Sequence, residues 1–213
     1  MSSDIWDRFE AMLQANAPAL LATLNPPASE ERIAEAEVEM AVIFPEEIRA
    51  AYLRHDGTSH AGQIGASCLL FYPMNWWANL EEVVDNWQMK VRVSESLRND
   101  DSRGYFPTYN PWWDDLKVCP VWWNPKWVPI GLSGTATSVY VDLEPAPKGT
   151  IGQLIADDGM QEASVIASGL NHYLEMLIDR VERKVLVFGE GWELADPNQS
   201  VYGAHGFDWN QLP

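Results

Sequence analysis

The sequence predicts one α+β domain, a central mostly antiparallel or mixed sheet flanked by helices. Helix-period apolar stripes gather at both ends of the chain, and period-two runs gather between residues 127 and 156. The two kinds of segment do not alternate strand by helix, as a parallel βαβ fold would require.

From the N-terminus, Ile5, Phe9, Met12 and Leu13 fall at helical spacing with acids opposite them, which predicts an amphipathic helix over 4–13. Pro26-Pro27 breaks the chain. Ser29 is placed to cap the next helix, because its hydroxyl can accept from an amide left over in the first turn, and Glu30 and Glu31 suit the dipole there. This helix is expected over 30–42, with Ile33, Ala34, the stem of Glu37, Val38 and Ala41 inward. Glu31, Glu35 and Glu39 then stack at i, i+4, a like-charge spacing that costs a few tenths of a kcal/mol per pair. Phe44-Pro45 opens another helix with Ile48, Ala51 and Tyr52 buried, closed by Asp56-Gly57.

Leu69 to Tyr72 reads as a short strand between Gly65 and Pro73. Asn79 and Glu82 have capping-box spacing, and Val83, Val84, Trp87 and Val91 carry a helix to about Leu97. Residues 99–117 read as a long aromatic and acidic loop, a class of loop that is often functional. Strands follow at 127–130, 138–143 and 151–156, with turns at Pro145, Pro147, Gly149 and Asp157-Asp158-Gly159. The stripe Val165, Ile166, Leu170, Tyr173, Leu174, Leu177, Ile178 and Val181 predicts a closing helix. The organisation is thus an N-terminal helical extension (1–24), the main domain (25–184) and a tail packed on it (185–213).

Composition narrows the function. Fourteen basic against 31 acidic residues leave a formal charge of −17. Binding to nucleic acid needs a Lys/Arg footprint on phosphates, and anionic membranes repel the same sign, so neither is expected as a partner. No run approaches the length of a membrane span, and the first residues carry acids rather than an apolar core, which points to a cytoplasmic protein. Cys68 and Cys119 have no metal-like spacing and read as small buried hydrophobes.

Phosphate-loop, dinucleotide, nucleophile-elbow and zinc-protease motifs are absent, so no catalytic residue, cofactor or metal is assigned. His55-Asp56 reads as a helix terminus, His60 and His205 as solvated, and His172 as packing on the last helix. Asp142 with Glu144, and Asp157 with Asp158, read as turn and rim residues, since nothing nearby completes an oxygen-ligand set. Among 11 Trp, the pairs Trp76-Trp77, Trp112-Trp113 and Trp122-Trp123 should each split into one core and one outward residue, and outward Trp favours a protein partner.

Pro27-Ala28-Ser29-Glu30-Glu31-Arg32-Ile33, then Phe44-Pro45-Glu46-Glu47-Ile48-Arg49 through Tyr52-Leu53-Arg54-His55-Asp56-Gly57, resemble the paired N-terminal helices of the fungal cell-wall-assembly regulators and their bacterial relatives, the SUKH superfamily. Trp127-Val128-Pro129-Ile130-Gly131, Val141-Asp142-Leu143-Glu144-Pro145 and Gly149 to Ile155 resemble that superfamily's core in the same order, over roughly 25–180. The resemblance implies either an immunity protein that neutralises a toxin with a basic, nuclease-like cleft, or a regulator and scaffold of wall synthesis. A ligand-binding protein with a Trp-lined pocket is a third class. The expected partner-binding residues are Glu31, Glu35, Glu39, Asp100, Asp101, Trp112, Trp113, Asp114 and Asp115, with a toxin as the expected partner.

Overall fold

The computed structural model describes residues 2–59, 75–98, 116–133, 137–157, 163–188 and 194–195. The helical half comprises α1 (Ser2–Asn16), α2 (Pro18–Leu21), α3 (Glu30–Met40) and α4 (Glu46–Arg54). After it come β1 (Trp76–Trp77), α5 (Leu80–Arg98), β2 (Trp127–Leu132), β3 (Ser138–Asp142), β4 (Gln153–Asp157), β5 (Ala163–Ala167) and α6 (Leu170–Glu182). The first five strands form one antiparallel sheet in chain order, and β6 (Val187–Phe188) pairs with β7 (Leu194–Ala195) apart from it. This is the expected α+β domain. The expected strand at 69–72 lies outside the described residues.

Strand periodicity gives the sheet two different faces. Val128, Ile130, Val139, Val141 and Leu154 face the main core, where they meet Ile33 and Met40 of α3, Ile48 and Tyr52 of α4, and Tyr173, Leu174 and Leu177 of α6. Trp127, Tyr140 and Ile155 face the other way, into a smaller cluster with Trp123, Val118, Val121 and Val165. Helix α5 serves both, with Leu80 and Val83 in the first cluster, Val91 in the second and Trp87 against each.

An aromatic row runs through the main core. Phe9 meets Trp6 edge-on at 5.6 Å, Trp6 stacks on Trp77 at 5.3 Å, and Tyr52 follows at 5.5 Å and Phe44 at 6.2 Å. Trp6, Trp77 and Tyr52 are among the largest fully buried side chains, so α1 is built into the same core as α4 and the sheet. Burial pushes the Tyr52 phenol up, and its O–H donates to Ala78 O at 3.0 Å. Beside it the chain crosses itself tightly. Gly57 has φ +67°, and a Cβ there would meet Asn79 N at 2.5 Å, so only glycine fits. Leu80 N donates to Asp56 Oδ1 at 2.8 Å and Thr58 N to Trp77 O at 2.9 Å, tying the end of α4 to β1 and the start of α5.

Two expectations are corrected. Val165 and Ile166 lie in β5, not in the last helix, which starts only after Gly169. Two adjacent β-branched residues satisfy either period, and Ser168-Gly169 supplies the break. The inward face of α3 is Ile33, Ala36 and Met40, while Ala34, Val38 and Ala41 are exposed, a rotation of the stripe by about one position.

Helix α6 lacks a capping side chain of its own because Gly169 is its N-cap. Glu47 of α4 supplies one across the fold: Leu170 N and Asn171 N donate to its two carboxylate oxygens at 3.0 Å each. A Cβ on Gly169 would meet Glu47 Oε1 at 2.4 Å. Replacing Glu47 by Ala should cost about 1–2 kcal/mol in urea unfolding, the range of a lost N-cap. Gly169→Ser should destabilise the native chain yet recover stability in the Glu47→Ala background, where its hydroxyl gains room to cap; additive effects in that double-mutant cycle would refute the cross-fold cap.

A second tie joins α1 to α4. Arg54 Nε donates to Glu10 Oε1 at 2.6 Å, Arg54 Nη2 to Asp7 Oδ1 at 2.6 Å, and His55 Nε2 lies 3.0 Å from Glu10 Oε1. The Arg54 hydrogen bond, aided by His55 and opposed by burial, holds the Glu10 carboxyl below its usual range. Its stabilisation is therefore full above the ordinary carboxylate pKa and is lost as pH falls through the lowered one. Glu10→Gln should lower stability at neutral pH by about 1 kcal/mol or less, a gap that closes on acidification in pH-resolved denaturant melts.

Candidate functional site

Helix α3 begins as expected, with Arg32 N donating to Ser29 Oγ at 3.3 Å, but its acids divide into two classes. Glu30 and Glu37 both pair with Arg49 of α4, and Glu37 also accepts from Phe44 N at 2.8 Å. With Glu47 at the start of α6, these three carboxylates are used inside the fold. Glu31, Glu35 and Glu39 are exposed and project from the helix.

Glu35 and Glu39 come together with acids of α5. A groove of about 170 Å³ at the α3–α5 seam is lined by Arg32, Glu35, Ala36 and Glu39 from α3 and by Leu80, Glu81, Val84 and Asp85 from α5. Arg32 Nη1 lies 3.5 Å from Glu35, and Gln88 of α5 donates to Glu39. Four carboxylates against one guanidinium make the seam acidic. Glu31 stands outside this lining, one turn towards the N-terminus, with its carboxyl lowered mainly by its own backbone amide and then by the Ser29 hydroxyl. Helix α5 starts with the expected capping box: Glu82 N donates to Asn79 Oδ1 and Asn79 N to Glu82 Oε2, each at 3.0 Å.

The apolar part of this surface was absent from the sequence expectation, which turned Val38 inward. Val38 is 81% exposed and Ile43, just past the end of α3, is 83% exposed, whereas Val42 and Phe44 on either side of Ile43 are buried. Val38 lies i+3 from Glu35 and i+7 from Glu31, hence on their side of the helix. Between Val38 and Ile43, Ala41 ends the helix at φ 52°, and Lys126 Nζ donates to its carbonyl at 2.6 Å. Large apolar side chains held outward among acids suit a protein partner better than a small-molecule cleft.

Asp100, Asp101, Trp112, Trp113, Asp114 and Asp115 lie outside the described residues, as do His60, His205, Cys68 and Asp158. The other Trp pairs split only in part: Trp77 and Trp123 are buried, but Trp76 and Trp122 are half-buried and pack against the two clusters instead of standing outward. On the second face of the sheet, Lys90 of α5 sits 5.2 Å from the Trp122 ring and 5.9 Å from that of Tyr140, with its ammonium pKa pushed down by burial. Tyr140 O–H donates to Asp157 Oδ2 at 2.7 Å, and Ser138 N to Asp157 Oδ1 at 2.9 Å.

Asp142 is not the turn or rim residue expected, whereas Glu144 is. Asp142 is fully buried and accepts from Gln153 Nε2 at 2.9 Å and Glu144 N at 3.1 Å, while Glu144 lies past the end of β3. Cys119 is half-buried rather than buried, and its thiol donates to Glu144 O at 3.4 Å. His55 caps α4 as expected, with Nδ1 3.0 Å from Asn25 O. Among the described residues no group of three or more His, Cys, Asp or Glu is placed to hold a metal ion, and no helix is long and apolar enough to cross a membrane.

The paired helices α3 and α4, the five-stranded sheet and the first half of α6 fall within residues 27–176, the stretch that matches the SMI1 / KNR4 family (SUKH-1). The chain belongs to that family. It is similar to the cell wall assembly regulator SMI1 of Saccharomyces cerevisiae, at 24% identity over 94% of this chain and 43% of the relative. It is also similar to the cell wall biosynthesis/cell cycle regulator smi1 of Schizosaccharomyces pombe (23%, 99% of this chain, 41% of the relative) and to the glucan synthesis regulatory protein of Neurospora crassa (22%, 82% and 37%). The chain thus spans less than half the length of these relatives.

Because Val38 and Ile43 bury little in this SUKH-1 chain, Val38→Ser and Ile43→Ser should each change unfolding free energy by less than about 0.5 kcal/mol. Ile33→Ser, one turn away but in the core, should cost several-fold more in the same urea titration.

Proposed function

We propose that this SUKH-1 chain acts without catalysis, by holding protein partners in the control of cell-wall synthesis or of the signalling that serves it. The observation that carries the reading is the outward pair Val38 and Ile43 set beside the acidic α3–α5 seam. Apolar anchors inside a charged frame are how protein interfaces combine binding energy with partner choice. The relatives bear the names of regulators rather than enzymes, which supports the same class.

A second reading is immunity, in which the chain occupies the basic cleft of a nuclease-like toxin in the cytoplasm. The four carboxylates Glu35, Glu39, Glu81 and Asp85 at one seam favour it, since acids so grouped steer towards a basic cleft at salt-sensitive rates. In either reading Asp100, Asp101, Trp112, Trp113, Asp114 and Asp115 are proposed as further contacts.

The test is crosslinking capture of the tagged full chain in its native host, comparing wild type with Val38→Asp/Ile43→Asp and with Lys at Glu31, Glu35 and Glu39. Several large wall-synthesis or signalling enzymes, lost at least tenfold with the apolar double variant, support the regulator. One small basic protein, released by salt and lost with the Lys variant, establishes immunity instead. Recovery unchanged in both variants removes α3 from the interface.

A further inference from the structure

Apolar exposure does not end with Val38 and Ile43. Ile151, on the turn from β3 to β4, is 70% exposed, and these three are the most exposed large apolar side chains among the described residues. They are distant in sequence but sit on abutting pieces of backbone. Gly152, next to Ile151, has φ +89°, and a Cβ there would lie 3.5 Å from Pro45 Cγ, so the turn rests against the loop that carries Ile43. From the other side Lys126, just before β2, donates to Ala41 O, and Leu143 N, just after β3, donates to Lys126 O at 3.0 Å. The end of α3, the α3–α4 loop and the β3–β4 turn thereby present one surface.

Each of the three is held outward by fixed backbone. Val38 is set by its helix, and Ile43 by the buried Val42 and Phe44 on either side. Ile151 stands on a turn built over buried groups. Gly152 N donates to Asp142 O at 2.8 Å, Gln153 N to Thr150 O at 3.0 Å and Thr150 N to Gln153 Oε1 at 3.0 Å. Gln153 Nε2 in turn anchors on Asp142 Oδ2 at 2.9 Å, and both of these side chains are buried. An apolar side chain kept in water by rigid backbone gains the full benefit of burial in a complex, with little ordering cost at the moment of binding.

We infer that Val38, Ile43 and Ile151 form a single docking row for an amphipathic basic helix of a partner protein, whose apolar stripe lies on the three side chains and whose Lys or Arg face the acids around them. Helices present apolar anchors at i, i+3 or i+4 and i+7, which suits a row of separate aliphatic contacts. Charge selects the occupant. Glu35 and Glu39 flank Val38, Glu46 opens α4 just after Ile43, and Glu144 stands on the turn that carries Ile151; all four are exposed. Lys126, turned to the Ala41 carbonyl, and Lys148, on the turn, offset them only in part. A second copy of this chain would bring the same acids to the same place, where like charges repel.

This inference rests on the reading of α3 as a protein-binding face and extends that face onto the sheet. Full-length protein would be titrated at physiological salt with a fluorescein-labelled 14-residue Leu/Lys peptide patterned as an amphipathic helix. A Leu/Glu peptide of the same pattern and a Ser/Lys peptide of equal charge serve as comparators; anisotropy reads affinity and hydrogen exchange reads the footprint. The expected result is saturable binding of the Leu/Lys peptide alone, slowed exchange in both 38–44 and 149–153, and at least fivefold weaker binding for Ile151→Ser with unchanged urea unfolding. Ile151→Thr, which keeps the branched shape, should lose less and keeps the test informative if serine perturbs the turn. Protection of 38–44 without 149–153, or indifference to the Ile151 variants, would overturn the shared row and leave the α3 reading standing. Equal binding of the Ser/Lys or Leu/Glu peptide, or no binding at millimolar peptide, would overturn the basic helix as occupant, while the capture experiment with the Val38 and Ile43 variants still decides the α3 reading by itself.

Discussion

The fold depends on the row of five aromatic rings from Phe9 through Trp6, Trp77 and Tyr52 to Phe44. Each ring comes from a different stretch of backbone or a different turn of it, and the contacts bring α1, β1 and α4 to a common line. Aromatic pairs of this kind add to the burial of large apolar areas and fix relative orientation, because edge-on and offset contacts are favoured over arbitrary ones. Once Trp77 is seated, β1 is placed, its two residues pair with Gly131 and Leu132, and the sheet has its first edge. The Asp56-Gly57-Thr58 crossing then follows from geometry. Asp56 is buried enough that desolvation pushes its carboxyl up, against the opposing pull of the Leu80 amide that it receives.

The described acids of the helical half and α5 do three different jobs, and the net charge alone does not separate them. Glu10, Glu30 and Glu37 close ion pairs with Arg49 or Arg54 between helices, Glu47 and Asp56 terminate helices that are remote in sequence, and Glu31, Glu35 and Glu39 with Glu81 and Asp85 face solvent. Only the last class is available to a partner. Among the described residues the outward acids Glu35, Glu39, Glu81 and Asp85 gather at the α3–α5 seam.

Local signals carried much of this architecture into the sequence. Ser29, the Asn79/Glu82 box, the Ile48-Ala51-Tyr52 stripe and the alternation around Val139 and Val141 all express interactions within a few residues, and each reappears as expected. Interactions between distant residues were not legible. Glu47 caps a helix 123 positions away, and nothing at Glu47 or Gly169 alone announces it. The α3 stripe misled because Ala34, Val38 and Ala41 continue a helical period as well as Ala36 and Met40 do, and the partner helix decides which set is buried. At Ile166-Ala167 the bulge puts consecutive side chains on one face, which mimics a helix and hides the strand. Of the expected partner residues, the α3 acids are placed outward at or near a real groove, yet the apolar half of that surface emerges only from burial.

The packing of α1 against α6 has a consequence for how the protein is made. The first helix leaves the ribosome with Trp6, Phe9 and Leu13 on one side, and α6 does not begin until Leu170. At about 5–20 residues per second, roughly 8–30 s of synthesis separate the two. During that interval Trp77 and Tyr52 can already meet Trp6, but the part of the ridge that α6 covers has no native partner yet. Asp7 and Glu10, carried on the same helix, flank that apolar side with charge from the moment it is made until α6 arrives.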